Sequence, residues 1–251
     1  GYITNILADY NRALAIYLPA LEHSLQYYGE LHEKTETLYN NIGYVYDSQG
    51  NYPLALEYYN KALVAFEKVY GTNHPSVATL NNNIGQIYTS QGNYPLALEY
   101  YNKALVIREK VLGTEHPDVA ASYNNIGQVY SSQGNYPLAL EYINKALVIW
   151  EKLFGIEHPD VATSYNNIGG VYDSQGNYPL ALEYYNKALV IREKLFGIEH
   201  PDVATSYNNI GSVYSSQGNY PLALEYINKA LVVFEKVYGT NHPSVATLNN
   251  N

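Results

Sequence analysis

The chain has no cysteine and no methionine among its 251 residues, a single tryptophan and only four phenylalanines. Without cysteine there is no disulfide, no thiolate metal site and no cysteine nucleophile. Without a methionine at position 1 the chain reads as a piece of a longer or processed one. Positive charge is scarce: 14 Lys and Arg stand against 23 Asp and Glu, for a formal net charge of −9. Phosphate backbones are held by clustered Lys and Arg, so no nucleic-acid partner is expected. No run approaches the ~20 consecutive apolar residues of a membrane span and no secretory signal is visible. No membrane partner is therefore expected, and the expected setting is the cytoplasm.

What the chain has in abundance is repetition. The string NIGxVYxSQGNYPLALEYxNKAL recurs with its glycine at Gly43, Gly85, Gly127, Gly169 and Gly211, each 42 residues after the last. Residues 127–168 and 169–210 differ only at Gln128/Gly170, Ser131/Asp173, Ile143/Tyr185 and Trp150/Arg192, and residues 234–251 repeat 66–83 without a change. Residues 1–42 fit the frame loosely, through Tyr10, Ala13, Leu14, Ala20, Leu21, Gly29 and His32. The expected organisation is a divergent unit over 1–42 and an array of near-identical units over 43–251. Its last unit is cut at Leu248-Asn249-Asn250-Asn251, halfway along a helix.

Each unit spells two helices. His116-Pro117-Asp118 opens the first: proline is tolerated at the first helical position and a carboxylate suits the positive helix end. Val119, Tyr123, Ile126, Gly127 and Tyr130 follow at helical spacing, and Gly134 closes the helix. Asn135-Tyr136-Pro137 starts the second, Leu138, Ala139, Tyr142, Ile143, Ala146 and Leu147 form its apolar stripe, and Gly155 ends it. Glu141 and Lys145 make a supporting i,i+4 pair. Pro19 falls inside the second helix of the first unit and should kink it. A lone helix pair leaves its apolar face open, so units must stack. Tyr88, Tyr94, Tyr100 and Tyr123 recur at interior and half-buried places, where tyrosine adds bulk and a hydroxyl that reaches water or a neighbour.

The pattern Tyr123, Ile126, Gly127, Tyr130, Gly134, Tyr136, Ala139, Ile143, Ala146 resembles the tetratricopeptide repeat. With GxEHPDVA and the following Asn-Asn pair, the unit is similar to the 42-residue repeats of kinesin light chains and nephrocystin-type proteins. The resemblance spans essentially the whole chain. It implies an all-α fold, a right-handed α-solenoid of antiparallel helix pairs, whose first helices line a concave groove for peptide segments. On that reading the chain is a non-catalytic protein-interaction scaffold. The alternative is an architectural or self-assembling spacer within a larger protein.

No residue pattern points to an enzyme. His74, His116, His158, His200 and His242 share one repeat position, but metal ligands must converge within a few ångströms and stacked copies stand on the order of 10 Å apart. They are read as helix-start residues, and neither metal nor cofactor is expected. Glu115/Asp118, Glu157/Asp160 and Glu199/Asp202 flank the same turn, where both carboxylates stay ionised and stabilise a helix end.

The first helices carry a polar stripe. Thr163, Asn167, Gly170 and Ser174 are spaced 4, 3 and 4 apart and so share a face. Thr79, Asn83, Gln86, Ser90 and Ala121, Asn125, Gln128, Ser132 are their counterparts, as are Thr205, Asn209, Ser212 and Ser216. The resemblance makes Asn41, Asn83, Asn125, Asn167 and Asn209 peptide-contacting asparagines, able to donate to and accept from a peptide backbone. Gln86, Gln128, Ser132 and Ser174 complete the candidate groove. Kinesin light chain grooves carry Lys or Arg near the end of the first helix. Here those places hold Asp47-Ser48, Thr89-Ser90, Ser131-Ser132, Asp173-Ser174 and Ser215-Ser216. Neutral or basic peptide segments are therefore expected as partners in preference to acidic ones.

Phe66, Trp150 and Phe234 alternate with Arg108 and Arg192 at one second-helix position. Arginine suggests that the position faces solvent; the aromatics there either pack under the C-terminal extension of the unit or form an exposed self-association stripe with arginine between them, and the period of 84 also reads as drift after duplication of a two-repeat unit. The incomplete ends also allow head-to-tail association of two molecules.

Overall fold

A computed structural model describes the backbone of residues 2–239 and the side chains of residues 9–239. Among the described residues there are eleven helices and no strand: α1 (Tyr2–Tyr28), α2 (Glu33–Ser48), α3 (Tyr52–Tyr70), α4 (Pro75–Ser90), α5 (Tyr94–Leu112), α6 (Pro117–Ser132), α7 (Tyr136–Phe154), α8 (Pro159–Ser174), α9 (Tyr178–Phe196), α10 (Pro201–Ser216) and α11 (Tyr220–Tyr238). From α2 onward the even-numbered helices are the first helices of each pair and the odd-numbered ones the second. The chain forms two compact units, Gly1–Val129 and Tyr130–Asn251. The truncated last unit, and the end that head-to-tail association needs, lie outside the described residues.

Local chemistry sets these boundaries. A histidine caps each first helix: the backbone N–H of Ser76 donates to His74 Nδ1 at 3.2 Å, and that of Asp202 to His200 Nδ1 at 3.2 Å. Where the preceding second helix ends in an aromatic the imidazole also stacks on it, with Phe154–His158 centroids 4.3 Å apart and Phe196–His200 4.5 Å. The histidines thus stand at helix starts, as expected. Second helices begin at an asparagine whose Oδ1 accepts a backbone N–H, as at Asn93 and Leu96. They end at a glycine such as Gly155, with φ 83° and ψ 167°, a conformation open essentially to glycine alone.

The first unit departs from the expected frame. Helix α1 runs unbroken through Pro19 for 27 residues. In the repeats, Gly50 and its counterparts turn the chain at positive φ (Gly50 φ 73°) before each second helix. Ala8 stands at that place in the first unit, so the turn is lost and the helix starts earlier.

Packing inside a pair rests on glycine facing a bulky side chain of the second helix, tyrosine opposite Gly43, Gly85 and Gly169 and Ile227 opposite Gly211. A Cβ at Gly43 would lie 2.7 Å from the Tyr59 ring, at Gly85 2.9 Å from Tyr101, and at Gly169 2.8 Å from Tyr185. In Gly1–Val129, Leu21, Ile42, Tyr59, Ile84 and Ile87 share one cluster, and Val77, Ala78, Ala104 and Ile107 another. In Tyr130–Asn251 the clusters centre on Tyr185, Val203, Ile210 and Val213, and on Ala204, Ile227, Ala230 and Phe234.

The alternating aromatic and arginine position is corrected by the structure. It faces inward: Trp150 is 5% and Phe234 9% exposed, and Phe66 is packed against the core. Arg108 Nη1 donates to Ser122 Oγ at 2.7 Å and Arg192 Nη1 to Ser206 Oγ at 2.8 Å, and burial pulls both guanidinium pKa values down. The residue fourteen places later gives each arginine its partner, but a serine also follows Trp150, so it does not account for the alternation. Arg108 and Arg192 meet a serine, Phe66 is followed by Leu80, and Trp150 is followed by Ser164. Ser164 is fully buried and its Oγ has no hydrogen-bond partner. An unsatisfied hydroxyl costs about 1–3 kcal/mol. Ser164→Ala is therefore expected to leave stability unchanged or raise it by about 1 kcal/mol, whereas Ser206→Ala lowers it by about 1–2 kcal/mol by stranding Arg192. Paired denaturant titrations check this, and equal losses in the two variants would refute it.

Candidate functional site

The polar stripe is present on the first helices of both units, with its residues in different states. The second asparagine of each pair is half-buried at Asn41, Asn83, Asn125, Asn167 and Asn209, while Gln86, Gln128, Ser132 and Ser174 are exposed. The hydroxyls are turned onto their own helix: Thr79 donates to Pro75 O at 3.3 Å, Thr205 to Pro201 O at 3.1 Å and Ser174 to Gly170 O at 2.9 Å. Such back-bonding uses the donor and leaves oxygen lone pairs for a ligand.

The asparagines have a role that spacing within one helix does not reveal. In Gly1–Val129, Asn125 Nδ2 donates to Asn82 Oδ1 at 3.0 Å, joining α6 to α4. In Tyr130–Asn251, Asn209 Nδ2 donates to Asn166 Oδ1 at 2.9 Å, joining α10 to α8. The pair works as a latch, the second asparagine of one repeat donating to the first of the repeat before. Asn83 instead bonds the hydroxyl of Tyr59 on α3. Each latching asparagine keeps one N–H and its carbonyl oxygen for other use. Asn82 and Asn166 were missed as members of the constellation. The signal for them is the recurrence of the doublet itself, since the partners lie 43 residues apart.

Two further features belong to this face. Tyr44 is 63% exposed at the repeat position of Gln86 and Gln128, and so places an aromatic ring on the stripe of α2. Asp47 and Asp173, at the end of the stripe, are half-buried, and burial pushes both carboxyls above their ordinary pKa. Helices α4, α6, α8 and α10 contain no Lys or Arg. Two lysines of the second helices are held on their own helix: Lys103 Nζ lies 2.7 Å from Glu99 Oε1 and 4.6 Å from the centroid of Tyr100, and Lys187 repeats the arrangement with Glu183 and Tyr184, whereas Lys194 and Lys236 pair with Glu157 and Glu199. The stripe offers oxygens, amides and an aromatic ring, with the carboxylates of Asp47 and Asp173 at its end.

Among the described residues there is no cluster of three His, Asp or Glu that could hold a metal ion, and no helix is long and apolar enough to cross a membrane.

The sequence pattern described as Tetratricopeptide repeat matches residues 1–68, 35–110, 76–147, 124–194, 168–231 and 202–251. No match is found among the curated proteins. Among solved structures the chain is similar to BtubC (BKLC) from P. vanneervenii, with a TM-score of 0.75 and 24% identity over 93% of this chain and 94% of that one. It is also similar to the nearly identical TPR-like repeats of a putative kinesin light chain from Podosopora anserina, with a TM-score of 0.65 and 22% identity over 80% of this chain and 95% of that one. A Rap protein complexed with Competence and Sporulation Factor has a TM-score of 0.68 and 19% identity over 86% of this chain and 62% of that one.

Proposed function

Because this chain belongs to the tetratricopeptide repeat family, we propose that it is a non-catalytic scaffold whose first-helix stripe binds peptide segments of partner proteins. The observation that carries this reading is the stripe: hydrogen-bonding side chains recur along helices α4, α6, α8 and α10, which hold no cation. A surface that only spaced other domains apart has no need for exposed Gln86 and Gln128 at one repeat position and exposed Ser132 and Ser174 at another. The Rap protein, seen in complex with a factor, supports a protein or peptide partner by likeness of fold. Recognition is of the peptide backbone, through the amide groups of the asparagines and the lone pairs of the hydroxyls. Asp47 and Asp173 favour neutral or basic segments over acidic ones.

A charge-varied peptide library titrated against the chain at low salt tests this. Neutral and basic peptides are expected to bind, and Gln86→Glu with Ser174→Glu to strengthen the basic ones. Both substitutions sit at exposed places, so the fold is preserved. Tighter binding of acidic peptides, or affinities indifferent to both substitutions, would overturn the reading. The asparagine latch is left intact by design, because Asn125→Ala also removes a contact between repeats.

A further inference from the structure

One register position changes chemistry along the array. Tyr123, Tyr165 and Tyr207 hold it in α6, α8 and α10, and Asn81 holds it in α4. Each of these tyrosines donates its hydroxyl to the glutamate fourteen residues earlier, on the preceding second helix. Tyr123 reaches Glu109 Oε1 at 2.6 Å, Tyr165 reaches Glu151 Oε1 at 2.8 Å and Tyr207 reaches Glu193 Oε1 at 2.5 Å. The ring lies against the following second helix. Tyr165 is 6.0 Å from Tyr184, with Lys187 Nζ 5.8 Å from its centroid; Tyr207 is 6.1 Å from Tyr226, with Lys229 Nζ 5.9 Å away. A carboxylate, a tyrosine ring and an ammonium thus hold the phenols of Tyr165 and Tyr207. Burial and the bond to Glu151 push the Tyr165 hydroxyl up to about 12, so it stays a neutral donor.

At α4 the holding groups are present and the phenol is not. Glu67, Tyr100 and Lys103 line a cleft of 710 Å³, together with Leu63, Val77 and Ile107. Asn81 is too short to fill the place, and its Nδ2 turns back to Val77 O at 2.8 Å. No tyrosine of the chain's own reaches Glu67 from this position.

We propose that this cleft is a binding site for the tyrosine side chain of a partner polypeptide, its hydroxyl donating to Glu67 and its ring lying against Tyr100 and Lys103. The occupant is specified by the array, which fills the equivalent places with tyrosines carried on a polypeptide. Phenylalanine has the ring without the donor that Glu67 accepts from. The cleft uses residues of α3, α4 and α5 that the polar stripe does not, so it adds a second recognition element to a scaffold.

The whole chain is titrated with N-acetyl-tyrosinamide, N-acetyl-phenylalaninamide and p-cresol, followed by NMR shifts of residues around Asn81. Saturable binding of the tyrosine amide is expected, about tenfold tighter than the phenylalanine amide. Asn81→Tyr fills the cleft from within and should abolish it. Glu67→Leu removes the acceptor and should bring the two amides to similar affinity, whether or not Asn81→Tyr folds. Equal affinities in the unaltered chain, or binding undiminished by Asn81→Tyr, overturn the proposal. Binding of p-cresol without the tyrosine amide also overturns it, in favour of a free phenol. Peptide binding at the stripe should be unaffected by Asn81→Tyr, which separates this result from the scaffold reading.

Discussion

Gly169→Val is expected to cost about 3 kcal/mol and to loosen α8 from α9. Gly169 lies against the ring of Tyr185, and a Cβ alone would stand 2.8 Å from Cδ1. Tyr185 is 5% exposed and Ala181, beside it, is fully buried, so the ring has no vacant space to enter. Valine recovers only a few tenths of a kcal/mol of helix propensity relative to glycine. Steric overlap in a packed interior, at about 1–3 kcal/mol and occasionally more, therefore decides the sign. Repeat arrays are stabilised by nearest-neighbour contacts, so the loss should be local. Hydrogen exchange should rise across α8, α9 and α10, with α11 less affected. Tyr185→Ala in the same chain removes the clashing ring, and should make the double variant more stable than the sum of the single losses. A loss below about 1 kcal/mol for Gly169→Val would show that the helices separate without penalty, against the account of the glycine–tyrosine contact given above.

That contact illustrates what a repeated sequence discloses. Gly85 recurs in every repeat with a tyrosine or an isoleucine at the place of Tyr101, and five copies of His-Pro and Gly-Asn-Tyr-Pro mark nearly every helix end. Capping and turn chemistry are local, so the residues that decide them are adjacent in the chain. The misread features depend on partners in another repeat or on the far side of a pair. Arg108 looks solvent-facing until Ser122 is placed beside it; Asn125, expected to contact a peptide, also donates to Asn82 of the preceding repeat, a second role that spacing within one helix does not disclose. The continuous α1 was missed because the loose match of 1–42 hid one substitution, Ala8 for the turn glycine. The stripe itself was legible from spacing, but the division of its residues between holding repeats together and facing solvent was not.

Glu36 is the most consequential of these departures. It stands where Ala78, Ala120, Ala162 and Ala204 stand in the other first helices, and it is fully buried with both carboxylate oxygens unbonded. The opposing second helix carries Ala65 where the others have Ile107, Ile149, Ile191 and Val233, so the smaller residue makes room for the larger. Neighbouring Ser24 and Thr35 are also polar and bonded, to each other at 2.8 Å and from Thr35 Oγ1 to Gly29 O at 2.8 Å; Glu36 has no such partner. Burial first, and then Glu33, push its pKa above 4.5. The folded chain thus holds this proton more tightly than the unfolded one. Its contribution is most favourable below the unfolded pKa and is lost as pH rises through the window up to the folded value. Asp47 and Asp173 act with the same sign, so the quantity to measure is the difference between the chain and a Glu36 variant. Glu36→Ala with Ala65→Ile rebuilds the junction that the other repeats use. Removing a buried unpaired carboxyl contributes about 1–3 kcal/mol at neutral pH. Three added buried carbons contribute about 2 kcal/mol more at ~0.8 kcal/mol each. The double variant should therefore be about 3–5 kcal/mol more stable at pH 7, with a smaller advantage at pH 4, as read from urea titrations at both pH values. An advantage equal at the two pH values would mean that Glu36 is neutral across the range, and that the gain comes from packing alone.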